Sequence, residues 1–117
     1  GGGVTPTPDP EPEIKDWVFT AALSGSDTEK TITMTGNDGT IVTARLTSTW
    51  GKVGYGSYYL NEPGVNNADN VTVNGKAIAK ENTSGTITFD YNSDKVIVDM
   101  TINGTKYVGT STNTLFS

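Results

Sequence analysis

From Asp16 onward, apolar side chains recur at every second position, and this constrains the fold more than any other feature of the chain. Trp17, Phe19, Ala21 and Leu23 alternate with Val18, Thr20, Ala22 and Ser24. Ile32 and Met34 alternate with Thr31, Thr33 and Thr35. Val42, Ala44, Leu46 and Ser48 alternate with Ile41, Thr43, Arg45 and Thr47. Ile87 and Phe89 sit between Thr86, Thr88 and Asp90, and Val96, Val98, Met100 and Ile102 flank Ile97, Asp99 and Thr101. A period of two puts one face of a strand in a core and the other in water. The twenty threonines suit that wet face, being β-branched and polar. No stretch shows the 3.6-residue period of a capped amphipathic helix.

The turns between these runs are equally legible. Asn74-Gly75 and Asn103-Gly104 each stand between two alternating segments. Both central residues of a type I′ turn need positive φ, which Asn and Gly adopt most readily. Register follows from the turn: Val73 faces Lys76 and Val71 faces Ile78, while Ile102 faces Thr105 and Met100 faces Tyr107. Eight strands are predicted near 16–24, 30–36, 40–50, 70–74, 76–80, 85–92, 95–102 and 105–112, with a short ninth near Tyr58–Leu60.

Almost every connection is short, so consecutive strands are expected to be antiparallel neighbours. A meander of this length hides its edges most economically by closing on itself. The expected fold is therefore all-β, an antiparallel eight-stranded meander closed into a small barrel that resembles the calycin (lipocalin and streptavidin) architecture in topology. A β-sandwich is the alternative. Large residues on the inward faces fill much of such an interior and leave room for a small ligand at most.

The first thirteen residues differ in character. Pro6, Pro8, Pro10 and Pro12 alternate with Thr, Asp and Glu, and Asp9, Glu11 and Glu13 are there without a base. Such a segment favours an extended polyproline-like chain of about 3.1 Å per residue and buries too little to fold alone. We read residues 1–13 as a tether and 14–117 as one domain. Of the formal charge of −5, three belong to the tether, leaving −2 on the domain. The run Thr5-Pro-Thr-Pro-Asp-Pro-Glu-Pro-Glu13 resembles the spacer of Gram-negative surface lipoproteins. It is also similar to linkers that join carbohydrate-binding modules to secreted glycosidases. The resemblance implies export to the periplasm or outer cell surface, with the domain peripheral to the membrane through an anchor upstream of Gly1.

With no Cys and no His, disulfides, zinc fingers, catalytic triads and haem ligation are out of reach. Net acidity disfavours nucleic acid as a partner. Gly51–Gly56 lacks the Gly-Lys-Ser/Thr ending of a phosphate loop. Asn66, Asn67, Asp69 and Asn70 offer oxygens, yet without the Asp-x-Asp-x-Asp-Gly spacing of a calcium loop they read as turn residues. Glu62, Asp69, Asp90, Asp94 and Asp99 are the remaining carboxylates for acid–base chemistry, and nothing in the sequence pairs them. No metal, no cofactor and no catalytic role are therefore expected.

The one long connection, Gly51–Asp69, follows Trp50 and contains Tyr55, Tyr58, Tyr59 and Asn61. Aromatic rings stack on sugar faces while amides bond hydroxyls. Trp50, Tyr55, Tyr58, Tyr59 and Asn61 are accordingly the candidate ligand-binding residues, for a small or glycan-like molecule at the barrel mouth. The competing possibility is that Tyr58 and Tyr59 form a short strand and Trp50 plugs the mouth. The expected function is a non-catalytic binding domain. The alternatives are a structural or adhesive module that contacts a protein partner, and a glycosidase's carbohydrate-binding module.

Overall fold

The computed structural model describes residues 13–49, 51–62, 64–90 and 92–111. The expected tether falls outside them except for Glu13, as does the end of the last predicted strand. The described residues form nine strands: β1 (Glu13–Gly25), β2 (Glu29–Gly36), β3 (Ile41–Ser48), β4 (Gly56–Leu60), β5 (Asn66–Val73), β6 (Lys76–Ala77), β7 (Thr83–Asp90), β8 (Lys95–Ile102) and β9 (Thr105–Ser111). A 3-10 turn, Lys80–Asn82, precedes β7, and the described residues contain no α-helix.

The strands lie in the order β3-β2-β1-β9-β8-β7-β4-β5-β6, and a further β3–β5 pairing closes eight of them into a barrel. The closed barrel matches the expected architecture, but its pairing is mixed rather than wholly antiparallel. β1 runs parallel to β9, from Glu13↔Thr105 to Phe19↔Ser111. β4 runs parallel to β5 through Tyr59↔Asn67 and Leu60↔Ala68. The two parallel pairs require each other, because strand directions around a closed ring can reverse only an even number of times.

Parallel neighbours usually need a crossover of a dozen residues or more. Here the chain passes directly from Leu60 to Asn66 because only two residue pairs overlap, so it backtracks by a short distance. Asn61 begins the reversal in the left-handed region, with φ of 58°.

The strand expected over 76–80 shortens to Lys76–Ala77, and the short strand expected near Tyr58–Leu60 takes its place in the ring. The cause is competition for one edge. β4 occupies the side of β7 that a longer β6 would need, pairing Tyr59 with Thr86 and Leu60 with Gly85. Beyond Ala77 the chain makes one more ladder-like bond, Ile78 N–H to the Val71 carbonyl at 2.8 Å, and then turns. Both Asn-Gly hairpins have the expected register, with positive φ at Asn74, Gly75, Asn103 and Gly104.

Alternation delivers the core. Trp17, Phe19, Ile32, Met34, Val42, Leu46, Ile87, Val96, Val98 and Met100 all point inward and are buried. Full burial of each large side chain contributes about 1.5–3 kcal/mol. The Trp17 ring stacks on Phe19 at 4.7 Å between centroids and meets Tyr107 edge-on at 5.1 Å. Gly109 permits the β1–β9 closure, since a methyl there would overlap the Trp17 carbonyl oxygen. On β5 a bulge interrupts the period: Thr43 pairs with Thr72 and Arg45 with Asp69, so β5 spends one extra residue. Asn70 is that residue, at φ of 49°, and the bulge lets Ala68 and Val71 both face the core.

Candidate functional site

The candidate residues of the long connection do not converge on one place. Trp50 lies outside the described residues. Tyr58 is 0% exposed, lies edge-on to Phe89 at 5.4 Å, and its hydroxyl accepts a hydrogen bond from Gly54 N–H at 3.0 Å. Val53 is also drawn into the core at 3% exposure, and its N–H donates to the Asp27 carbonyl at 2.6 Å. This part of the connection therefore folds over the end of the barrel near the Ser26–Glu29 turn. Tyr55 and Tyr59 are exposed by 46% and 41%. Tyr59 points outward from β4, with Asn67 on one side and Thr86 on the other. Asn61 is exposed toward the opposite end, where it lines a concavity together with Asn82 and Asn103.

One concavity of about 290 Å³ lies over β1 and β2 beside Val18, Thr20, Thr35 and Asn37, and two others adjoin the 3-10 turn. After Ala68, β5 loses β4 as a neighbour, and it gains β6 only at Thr72. The wall opens between them into a seam of about 340 Å³, with Asp69, Asn70, Thr72 and Lys80 as its polar lining and Val71 and Ile78 among its apolar lining. On the other side of the turn, a second concavity of about 290 Å³ is lined by Asn61, Glu81, Asn82, Ser84, Thr101 and Asn103. Both reach Thr83, which is buried and donates its hydroxyl to the Lys80 carbonyl at 2.9 Å.

The charges beside the seam form a compensated row. Glu29 Oε1 accepts from Arg45 Nη1 at 2.7 Å, Arg45 Nη2 is 4.0 Å from Asp69 Oδ2, and Lys80 Nζ is 3.6 Å from Asp69 Oδ1. The hydrogen bond to Glu29 raises the Arg45 guanidinium above its ordinary value. Two acids and two bases cancel, so the seam has polarity without net charge.

Other carboxylates have local structural work. Asp90 accepts from the Ser93 hydroxyl at 2.9 Å and the Asn92 N–H at 3.0 Å, which lowers its pKa. Asp99 lies 3.6 Å from Lys106. Asp38 is ion-paired with Lys15, whose hydrogen bond holds the carboxyl well below the usual carboxylate range, with help from the Thr40 backbone N–H.

Asn70, Lys80 and Thr83 were not singled out as ligand-binding residues by sequence reasoning. The Asn70 signal was present, since an Asn/Asp-rich run in a strand marks a bulge as readily as a turn. Lys80 and Thr83 reach the seam only because β6 ends early, and that termination has no local signature. Comparison with known proteins finds no matching family model, no matching curated protein and no matching solved structure.

Proposed function

We propose that this chain is a non-catalytic binding domain of an exported bacterial protein, and that it holds a small or glycan-like ligand on the outside of its barrel. The observation that supports this most is the pair of adjoining concavities around Lys80–Asn82, whose linings combine apolar surface with amides, hydroxyls, Glu81 and the Asp69–Lys80 ion pair. Such groups bond hydroxylated ligands without requiring charge. The interior is an unsuitable place for the ligand, because Tyr58, Val53 and the strand side chains occupy it. Export and a membrane anchor rest on the Pro/acid composition of residues 1–13.

A filled interior also favours a second reading, a structural or adhesive module that meets a protein partner through outward threonines such as Thr33, Thr43 and Thr72. A glycan array with a thermal-shift readout separates the two. Binding that is weakened in Asp69→Asn and Asn82→Ala but kept in Lys95→Gln supports the ligand reading. A flat array across neutral and charged sugars rejects it in favour of the structural module.

A further inference from the structure

We infer that the seam between β5 and the 3-10 turn selects a neutral, ring-shaped polyhydroxylated ligand of pyranose type over charged sugars. The inference rests on the binding reading above and names its ligand class. At about 340 Å³ the seam is at the small end of ligand sites, suited to one ring rather than an extended molecule. Its lining is two-sided. The half-buried Ile78 offers apolar surface to the C–H face of a ring, while Asp69, Asn70, Thr72 and Lys80 offer acceptors and donors to hydroxyls.

The charge arrangement decides among sugars. Asp69 Oδ1 and Lys80 Nζ stand 3.6 Å apart, one an acceptor and the other a donor. A hydroxyl both donates and accepts, so adjacent hydroxyls bridge the pair without separating its charges. An anionic sugar that engages Lys80 brings its carboxylate beside Asp69, and a cationic sugar that engages Asp69 displaces Lys80 and meets Arg45, 4.0 Å from the same carboxylate. Either leaves one charge uncompensated, a penalty that hydrogen bonds to a neutral ring avoid. Asn70 is held at the bulge by its left-handed backbone, which fixes an amide at the edge of the seam.

The test is calorimetric titration of the full chain with methyl glucoside, methyl galactoside and methyl mannoside, each against its uronate and its amino-sugar counterpart. Disaccharides of each neutral sugar form a further arm. The wild type is expected to bind at least one neutral glycoside about tenfold more tightly than its charged counterparts. Lys80→Met is expected to move the preference toward the amino sugar, and Asp69→Asn toward the uronate, each by about tenfold. Binding of the free glycoside equal to that of its disaccharide marks a free sugar as the source, and a gain with the disaccharide marks a glycan chain, with the selectivity intact in both. A charged sugar bound as tightly as its neutral form overturns the inference and leaves the binding reading standing. Unaltered selectivity in both variants, with circular dichroism confirming their fold, also overturns it. Absence of binding by every sugar overturns the inference and the binding reading together.

Discussion

Gly54 and Tyr58 are joined by a hydrogen bond from a backbone N–H to a phenolic hydroxyl, 3.0 Å long, at the end of the barrel. It turns an aromatic residue of the long connection into an internal tie. The ring fills the core against Phe89, and the hydroxyl fixes the chain just after buried Val53. A tyrosine used in this way has no face left for a ligand.

Tyr58→Phe is expected to lower stability by about 1–2 kcal/mol, the cost of leaving the Gly54 N–H unmatched. Ligand binding at the outer wall should be unchanged. Urea unfolding beside a binding titration checks both. Lost binding with unchanged stability would place Tyr58 in ligand contact.

The barrel closure makes a sharper demand. Gly109→Ala drives a methyl into the Trp17 carbonyl oxygen, in the backbone of a paired strand that cannot give way cheaply. It should cost about 3 kcal/mol or more. Gly104→Ala meets open space and suffers only from its φ of 80°, a cost of about 1 kcal/mol. Comparison of the two by chemical denaturation separates steric closure from backbone strain.

The two Asn-Gly turns should respond differently to one substitution. Asn74 Oδ1 accepts the Ile41 N–H at 2.9 Å, tying its hairpin to β3. Asn74→Gly keeps the positive φ but loses that bond, for about 1 kcal/mol. Asn103 makes its turn through backbone conformation, so Asn103→Gly should change stability by less than about 0.5 kcal/mol. Equal losses at both sites would remove the special role of the Asn74 side chain.

Acid should weaken the fold through Asp38. Lys15 and the Thr40 N–H hold its folded-state pKa below the unfolded value of 3.8, so the folded form keeps its charge after the unfolded form has bound a proton. The stabilisation is full above that unfolded value and declines as pH falls below it. Denaturation midpoints across the acid range should therefore converge for wild type and Asp38→Asn at low pH and separate toward neutrality. Parallel curves would show that the pair adds nothing to stability.

Much of the barrel is readable in the chain because its determinants are local. Trp17-x-Phe19 and Val96-x-Val98-x-Met100 announce which face is buried, and Asn103-Gly104 sets Met100 against Tyr107. Pairings between distant strands carry no such mark. Nothing in Glu13–Phe19 indicates a parallel partner in Thr105–Ser111, and Lys76-Ala-Ile-Ala reads as a full strand until β4 is seen on the edge it would need. The candidate site follows the same division. Tyr59 and Asn61 are on the surface as their polarity suggests, Tyr58 is not, and the seam exists only because β6 stops short.

The proposed binding mode puts the ligand on the outer wall of a barrel whose interior is already filled. An amide and methyl NMR titration with the neutral methyl glycosides tests it most directly. Binding at the outer wall should shift signals only in Asp69–Thr72, Ile78 and Lys80–Ser84, with the inward methyls of Ile32, Val98 and Met100 unmoved. Shifts centred on those inward methyls, or none anywhere on the chain, would contradict it.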